Sequence, residues 1–459
     1  MDVLCNRNAS IRRSRIRLVM GLCLAVFATL LLLLLEAHYR QYAPKGYFQS
    51  WSSETMIQTV SIEDLRDAPL QSLWYLNIQP PLFDTLRAIL AQVWKSADSM
   101  AMLLKVDQSL YVLWALVYGA IVFVIYWWLS ELTNLAFAAV STLFFCAHPA
   151  MIFYSTLLDT TILSAFLILI FYYFLWRIKK ARPVSAIGFA VIFLLMYFTR
   201  SIFQWQWLLI LALVLLLLKF PKRKLITFLA ITGVVIGLYT AKQVSLFDLS
   251  STSAFSGLNL CHSIGCEGVN EAYEKASLQL QQQAVPAGLP NALTRVNKID
   301  GGINLNNKYF LAVNKSLQAQ YRAQLLSMLH SPRQLLQNYS INLKVYLAPS
   351  SHYISDNLIV DRLPWRAVYD FIFSAPVLPL LLILAFIFWL FQAHKNEFWR
   401  NLGFCLPAAA IIFLCVFADR GENMRFKFFI EPILFIFIAS QAYAAGKKLL
   451  GSIKKRRSV

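Results

Sequence analysis

Charged side chains are scarce in this chain: Asp, Glu, Lys and Arg together make up 14% of its 459 residues, where soluble globular proteins carry about a quarter. Acids are scarcer than bases, 23 against 42. The glycine loops that cradle nucleotide phosphates are missing, as are paired histidines at metal-ligand spacing and a Gly-x-Ser-x-Gly elbow. Those absences argue against an enzyme that uses a soluble nucleotide. No internal repeat and no low-complexity tract breaks the chain. Only seven cysteines are present, and Cys5, Cys23, Cys146, Cys405 and Cys415 lie in or beside apolar runs, where they read as small packing residues. Cys261 and Cys266 stand apart in Cys-His-Ser-Ile-Gly-Cys. With His262 they supply too few ligands for zinc, so the reading favours a local disulfide in an oxidising compartment, with zinc as the alternative.

Apolar residues are abundant, at 58%. Several runs reach the ~20 residues needed to cross a bilayer. Ten such spans are predicted, at roughly 17–35, 108–130, 133–152, 155–176, 184–200, 203–219, 225–247, 367–393, 401–418 and 426–445. The first reads as a retained helix, since its apolar run ends in Glu36-Ala37-His38-Tyr39 without a small-residue cleavage pattern. Placing the amino terminus in the cytoplasm collects 21 of the 42 basic residues on cytoplasmic segments, against Asp2, Glu131 and Glu397. Nearly the whole net charge of +19 is then an inward bias of the loops. Both termini are expected in the cytoplasm, and no basic excess remains for a nucleic-acid partner.

The expected fold is an all-α polytopic membrane protein. A transmembrane module over 1–247 holds helices one to seven and a first outer loop at 36–107. A second outer segment at 248–366 forms a small, mostly helical domain, and 367–459 carries the last three helices and a basic tail. In the first loop, Leu82, Leu86, Ile89, Leu90, Val93 and Trp94 recur at helical spacing, with Asp84, Arg87 and Lys95 off that stripe, so an interfacial amphipathic helix is predicted after Pro80-Pro81. Ser61 with Glu63 and Asp64 predicts a second short surface helix. In the second segment Tyr321, Leu325, Leu326 and Leu329 mark one helix and Ser331-Pro332 opens another; 277–306, rich in Gln, Asn, Ala and Gly, reads as containing a mobile segment.

Four groups of residues carry candidate chemistry. Glu54, near the outer surface, has the raised basicity of a general base, with Glu36, Glu63 and Asp64 as competitors. Gln79, Pro80, Pro81 and Asp84 form a stiffened polar element that can face a ligand or simply open a helix. Arg200 closes the fifth helix at a depth where a charge costs up to ~2.5–3.5 kcal/mol, which suggests a lipid phosphate or a snorkelling side chain. The densest group is Asp419-Arg420-Gly421-Glu422-Asn423-Met424-Arg425-Phe426-Lys427, read as an outward turn before the last helix, with Arg425 and Lys427 able to grip phosphate.

At these residues the chain resembles the GT-C superfamily of polytopic glycosyltransferases, which includes protein O-mannosyltransferases and lipid A aminoarabinose transferases. Ser-Glu54-Thr-Met-Ile-Gln is similar to the family's Asp-Glu-x-x-Tyr element after the first helix, and Asn-Ile-Gln79-Pro80-Pro81-Leu82-Phe to its His-x-Pro-Pro-Leu-Tyr element. Thr199-Arg200 and Glu422-Asn-Met-Arg425-Phe complete the likeness. The resemblance implies a bacterial inner-membrane enzyme with a periplasmic active site. It also implies a polyprenyl-phosphate-linked sugar donor and a glycan, glycolipid or protein acceptor. Transfer would be inverting, with Glu54 as base, Arg200, Arg425 and Lys427 on the donor phosphate, and Gln79, Pro80, Pro81, Asp84 and Glu422 against substrate. Ser53 replaces the first acid and Gln79 the usual His, which leaves a divalent cation open as a cofactor. A flippase for lipid-linked saccharides is the alternative from another class; a polymerase or ligase using diphosphate donors is a third.

Overall fold

A computed structural model describes residues 2–40, 52–56, 58–282, 289–299, 301–353, 361–392, 398–418, 420 and 423–457. Among them the chain is helical throughout, with one isolated bridge between Asn297 and Ile303 as its only extended pairing. Six helices are long and apolar enough to cross a membrane, or eight if each of two bent pairs is one span.

Helix α1 (Asp2–Arg40) lies against α5 (Ser99–Leu132), the hub of the bundle. Asp98 caps α5 by accepting the amides of Met100 and Ala101 at 3.0 and 3.1 Å. The two helices approach closely at Gly119, where a Cβ would sit 2.3 Å from the Thr29 hydroxyl. On the far side of α1, Leu22, Val26, Phe27, Leu30 and Leu34 stay exposed, an apolar stripe suited to lipid.

Between them in sequence, α2 (Ile62–Asp67), α3 (Pro69–Trp74) and α4 (Leu82–Val93) form a cap on one end of the bundle. The predicted α4 is present, and its polar side is the buried one: Asp84 and Arg87 are fully buried, whereas Ile89, Val93 and Trp94 are exposed. An apolar stripe turned outward is what an interfacial helix offers to lipid. Ser61, expected to cap α2, makes no side-chain capping bond there.

The third predicted span is broken. Helices α6 (Leu135–Cys146) and α7 (Pro149–Thr156) meet at 58°, because Pro149 lacks an amide proton and holds His148 extended. His148 Nδ1 accepts the Ala150 amide at 3.0 Å and starts the second half. Helix α8 (Thr161–Lys179) follows, then the short α9 (Ala186–Tyr197) and α10 (Trp207–Leu217), then α11 (Lys222–Phe247). At 12 and 11 residues, α9 and α10 reach only ~17–18 Å.

The segment after α11 folds as α12 (Ser256–Ile264), α13 (Val269–Gln282), α14 (Asn291–Thr294), α15 (Lys308–Leu329) and α16 (Pro332–Leu347). Cys261 and Cys266 form a disulfide at the end of α12, with an S–S distance of 2.07 Å. Within 277–306, residues 283–288 and 300 fall outside the described residues. Asn304 and Asn306 are fully buried, and the Asn306 amide group bonds the backbone of Asn77, Ile78, Tyr75 and Ala292. Asparagine is used here as a linker between backbones, which composition alone does not distinguish from a polar loop.

The chain ends with α17 (Arg366–Ile372) and α18 (Val377–Gln392), bent by 50°, then α19 (Phe398–Phe417), α20 (Asn423–Phe428) and α21 (Glu431–Arg457). Arg425 and Lys427, expected in an outward turn, instead belong to the separate short helix α20 and are 3% and 1% exposed.

The bundle has two chemically distinct ends. Arg17 and Arg182 both pair with Glu131, Lys224 bonds the Val184 carbonyl, and Lys448 lies over Phe388, which gathers one set of helix ends into a basic end. At the opposite end, Asp107 of α5 accepts the Ser53 amide and Asp159 precedes α8. From Asp107 to Glu131 along α5 is ~36 Å, comparable with a hydrocarbon core of ~30 Å.

Candidate active site

Two polar clusters occupy the end opposite the basic one. The first is built on the loop before α2. Glu54 is fully buried, and its Oε1 accepts the Ile62 amide at 2.8 Å, taking the capping place that Ser61 leaves. Its Oε2 has no hydrogen-bond partner among the described residues. Burial raises the Glu54 pKa above the usual carboxylate range, against the lowering pull of Arg87, the Ile62 amide, Lys298 and Ser61.

The same loop is clamped from both sides. Arg87 donates to the Ser53 hydroxyl at 3.1 Å, to the Val60 carbonyl at 2.6 Å and to Asp84 Oδ1 at 2.7 Å. Asp84 Oδ2 accepts from Gln79 Nε2 at 2.8 Å. Lys298, from the segment after α11, donates to the carbonyls of Glu54 and Met56 at 2.9 and 2.8 Å and to the Thr59 hydroxyl at 3.0 Å. Asp64 and Glu63, the competing acids, both bond Arg295. Glu36 is buried at the end of α1.

The second cluster centres on Asp159. Its Oδ1 accepts the Thr161 amide at 2.7 Å, and its Oδ2 accepts the Thr161 hydroxyl at 2.7 Å and Arg200 Nη2 at 3.2 Å. Arg425 Nη1 approaches the same Oδ2 at 3.6 Å and donates to the Tyr353 hydroxyl at 2.8 Å. Two guanidiniums therefore converge on one carboxylate oxygen. Lys427 is held apart, on the carbonyls of Ala348 and Phe373 and 3.5 Å from Glu431. Glu431 also accepts the Ser350 hydroxyl at 2.5 Å.

Short contacts join the two clusters. The Leu82 amide donates to the Phe198 carbonyl at 2.9 Å, which sets the Pro80-Pro81 element two residues from Arg200. Phe83 packs against Trp114 with ring centroids 6.0 Å apart, and the Trp114 indole donates to the Asp159 carbonyl at 2.8 Å. Glu54, Gln79, Pro80, Pro81, Asp84, Arg200 and Arg425 thus share one end of the bundle. Glu422 lies outside the described residues.

No family model matches the chain, and no curated protein matches it. The site is therefore read on its own chemistry. Sequence reasoning missed Arg87, Lys298, Asp159 and Asp107; the Asp84–Arg87 spacing of three was the available signal, since it sets both on one helix face. Those residues do not fit a divalent cation in the first cluster, because the Arg87 guanidinium stands between Ser53 and Asp84. Among the described residues, no three His, Cys, Asp or Glu side chains are grouped to hold a metal ion. A cavity of about 620 Å³ opens at the basic end, away from both clusters.

Removing one partner of the buried Asp84–Arg87 pair strands the other charge, which typically costs ~3–5 kcal/mol. Arg87→Ala is expected to lower thermal stability accordingly in detergent, and unchanged unfolding would contradict that role. A second expectation concerns pH. With its native pKa above the unfolded value, Glu54 binds more protons in the native state, so its contribution to stability falls as pH rises from about the ordinary glutamate value, ~4.3, toward the native one. Glu54→Gln keeps an oxygen for the Ile62 amide and should flatten that part of the stability–pH curve; a slope equal to wild type would refute the assignment.

Proposed function

We propose that this protein is an integral-membrane glycosyltransferase that moves a sugar from a polyprenyl-phosphate donor to an acceptor on the outer side of a bacterial inner membrane. The observation that carries the reading is a basic carboxylate and two converging arginines at one end of a bundle whose other end is basic. Under the inward bias of basic loops, that other end faces the cytoplasm with both termini, and the site faces the periplasm. Ten spans follow when each bent pair counts once and the short α9 and α10 also cross; the helices α12–α16 then form an outer domain over the site.

In the proposed reaction an acceptor hydroxyl attacks the anomeric carbon of the donor. Its proton passes to Glu54, the new glycosidic bond forms, and the bond between the anomeric carbon and the phosphate oxygen breaks. The electron pair leaves with the lipid phosphate. Arg200 and Arg425 stabilise that charge, and Asp159 holds both guanidiniums in register before the donor arrives. Lys427, bonded to carbonyls and Glu431, acts from behind through α20. Gln79 and Asp84 shape the first cluster through each other and Arg87, so they position the Glu54 loop. The Pro80-Pro81 element braces it against Phe198.

Purified protein should transfer sugar from a polyprenyl-monophosphate donor. Glu54→Gln is expected to reduce the rate ~10²–10⁴-fold, and Arg425→Ala ~10²–10³-fold, each without loss of the folded monodisperse state. Wild-type turnover in folded Glu54→Gln would remove the base, and turnover of diphosphate donors alone would move the protein to the polymerase or ligase class.

A further inference from the structure

The cavity of about 620 Å³ at the basic end lies between α5, α8, α18, α19 and α21. It is within the usual ~300–1,000 Å³ of small-molecule sites. Its nearest wall residue on α8, Tyr172, stands eleven residues, ~17 Å, beyond Thr161 of the Asp159 cluster, and the cavity extends from there toward Lys179, so it forms no part of the candidate active site. Most of its wall is apolar and aromatic, and Ile383 and Phe386 on its rim are 55% and 45% exposed, which opens it sideways toward the bilayer.

Polar groups break that wall in a pattern of their own. The Trp128 indole nitrogen, the Tyr172 hydroxyl, Asn401 Oδ1 and Gln441 Oε1 are buried, belong to residues that line the cavity and have no hydrogen-bond partner among the described residues. Asn401 is only 4% exposed. Buried polar atoms are normally satisfied, so one indole donor, two amide acceptors and a hydroxyl that can serve as either describe a ligand with both oxygen acceptors and hydrogen-bearing groups. At the mouth, Lys179 Nζ stands 5.3 Å from the ring centroids of Trp389 and Phe404, with Lys180 exposed beside it. Two lysines at the rim complement an anion.

We infer that this cavity binds a glycerophospholipid with an anionic, hydroxyl-bearing headgroup, drawn from the leaflet at the basic end. The acyl chain enters between Ile383 and Phe386. The phosphate sits toward Lys179 and Lys180, an ester or phosphate oxygen accepts from Trp128, and headgroup hydroxyls donate to Asn401 and Gln441. Lipid in this position would brace α19 and α21 against α8 without entering the candidate active site. The assignment does not depend on the proposed transferase reaction.

The test is native mass spectrometry of the full chain after delipidation in detergent, titrated with phosphatidylglycerol and with phosphatidylcholine of the same acyl chains. Wild type is expected to form a one-to-one adduct with phosphatidylglycerol at about tenfold lower lipid concentration. Ala408→Trp, which fills the cavity, should abolish that adduct, and Lys180→Glu should remove the preference between lipids. Should Ala408→Trp fail to elute as a single folded species, Ser440→Leu provides a smaller obstruction, read by loss of the phosphatidylglycerol-induced rise in Tm. Equal binding of the two lipids, or an undiminished adduct in a folded cavity-filled variant, would overturn the assignment.

Discussion

Arg200 and Arg425 meet on one carboxylate oxygen of Asp159, and the arrangement of this end of the protein depends on that junction. Each arginine is largely buried, where an uncompensated charge is untenable. One short acid ahead of α8 resolves both. It also caps the helix through the Thr161 amide, so its position is fixed by backbone rather than by a flexible side chain. Three chain segments distant in sequence are thereby drawn to one point. Phe83 and Trp114 then connect that point to the first-loop cluster by direct packing and a hydrogen bond.

The first cluster obeys the same constraint in another form. Glu54 sits in the loop before α2, held at Ser53 and Val60 by Arg87 from α4 and at Glu54 itself by Lys298 from the segment after α11. Holding a carboxylate in a buried site raises its basicity and costs stability at neutral pH. A structural anchor for α2 would not need that penalty, since a neutral side chain can also accept the Ile62 amide. Asn306 and Arg295 pin the later segment onto the first loop, so the carboxylate environment is assembled from both.

Much of this was legible in the sequence, for physical reasons that also explain the failures. Long apolar runs and the bias of basic residues are read directly from a sequence, and they marked the six to eight helices long and apolar enough to cross a membrane and the basic end. Arg200 was visible as a charge at the end of an apolar helix, and Arg425 as part of a dense charged cluster before the last one. Their common partner was not, because nothing in a linear chain marks Asp159 as the acid that meets them. In α4 the periodic stripe was correct, but periodicity does not tell which face meets protein when the other face meets lipid. Asp84 and Arg87 turned inward as a buried ion pair. The linking role of Asn304 and Asn306 was not visible, because asparagine looks the same whether it solvates a loop or staples backbones together.

The most direct measurement is an electron cryomicroscopy structure of the full chain in lipid nanodiscs with a polyprenyl-monophosphate sugar bound. The account predicts phosphate density within hydrogen-bonding reach of both the Arg200 and Arg425 guanidiniums, with the anomeric carbon facing the Glu54 carboxylate. Donor phosphate seated at Lys179 and Lys180, or at any place from which Glu54 is walled off by helix, would contradict it.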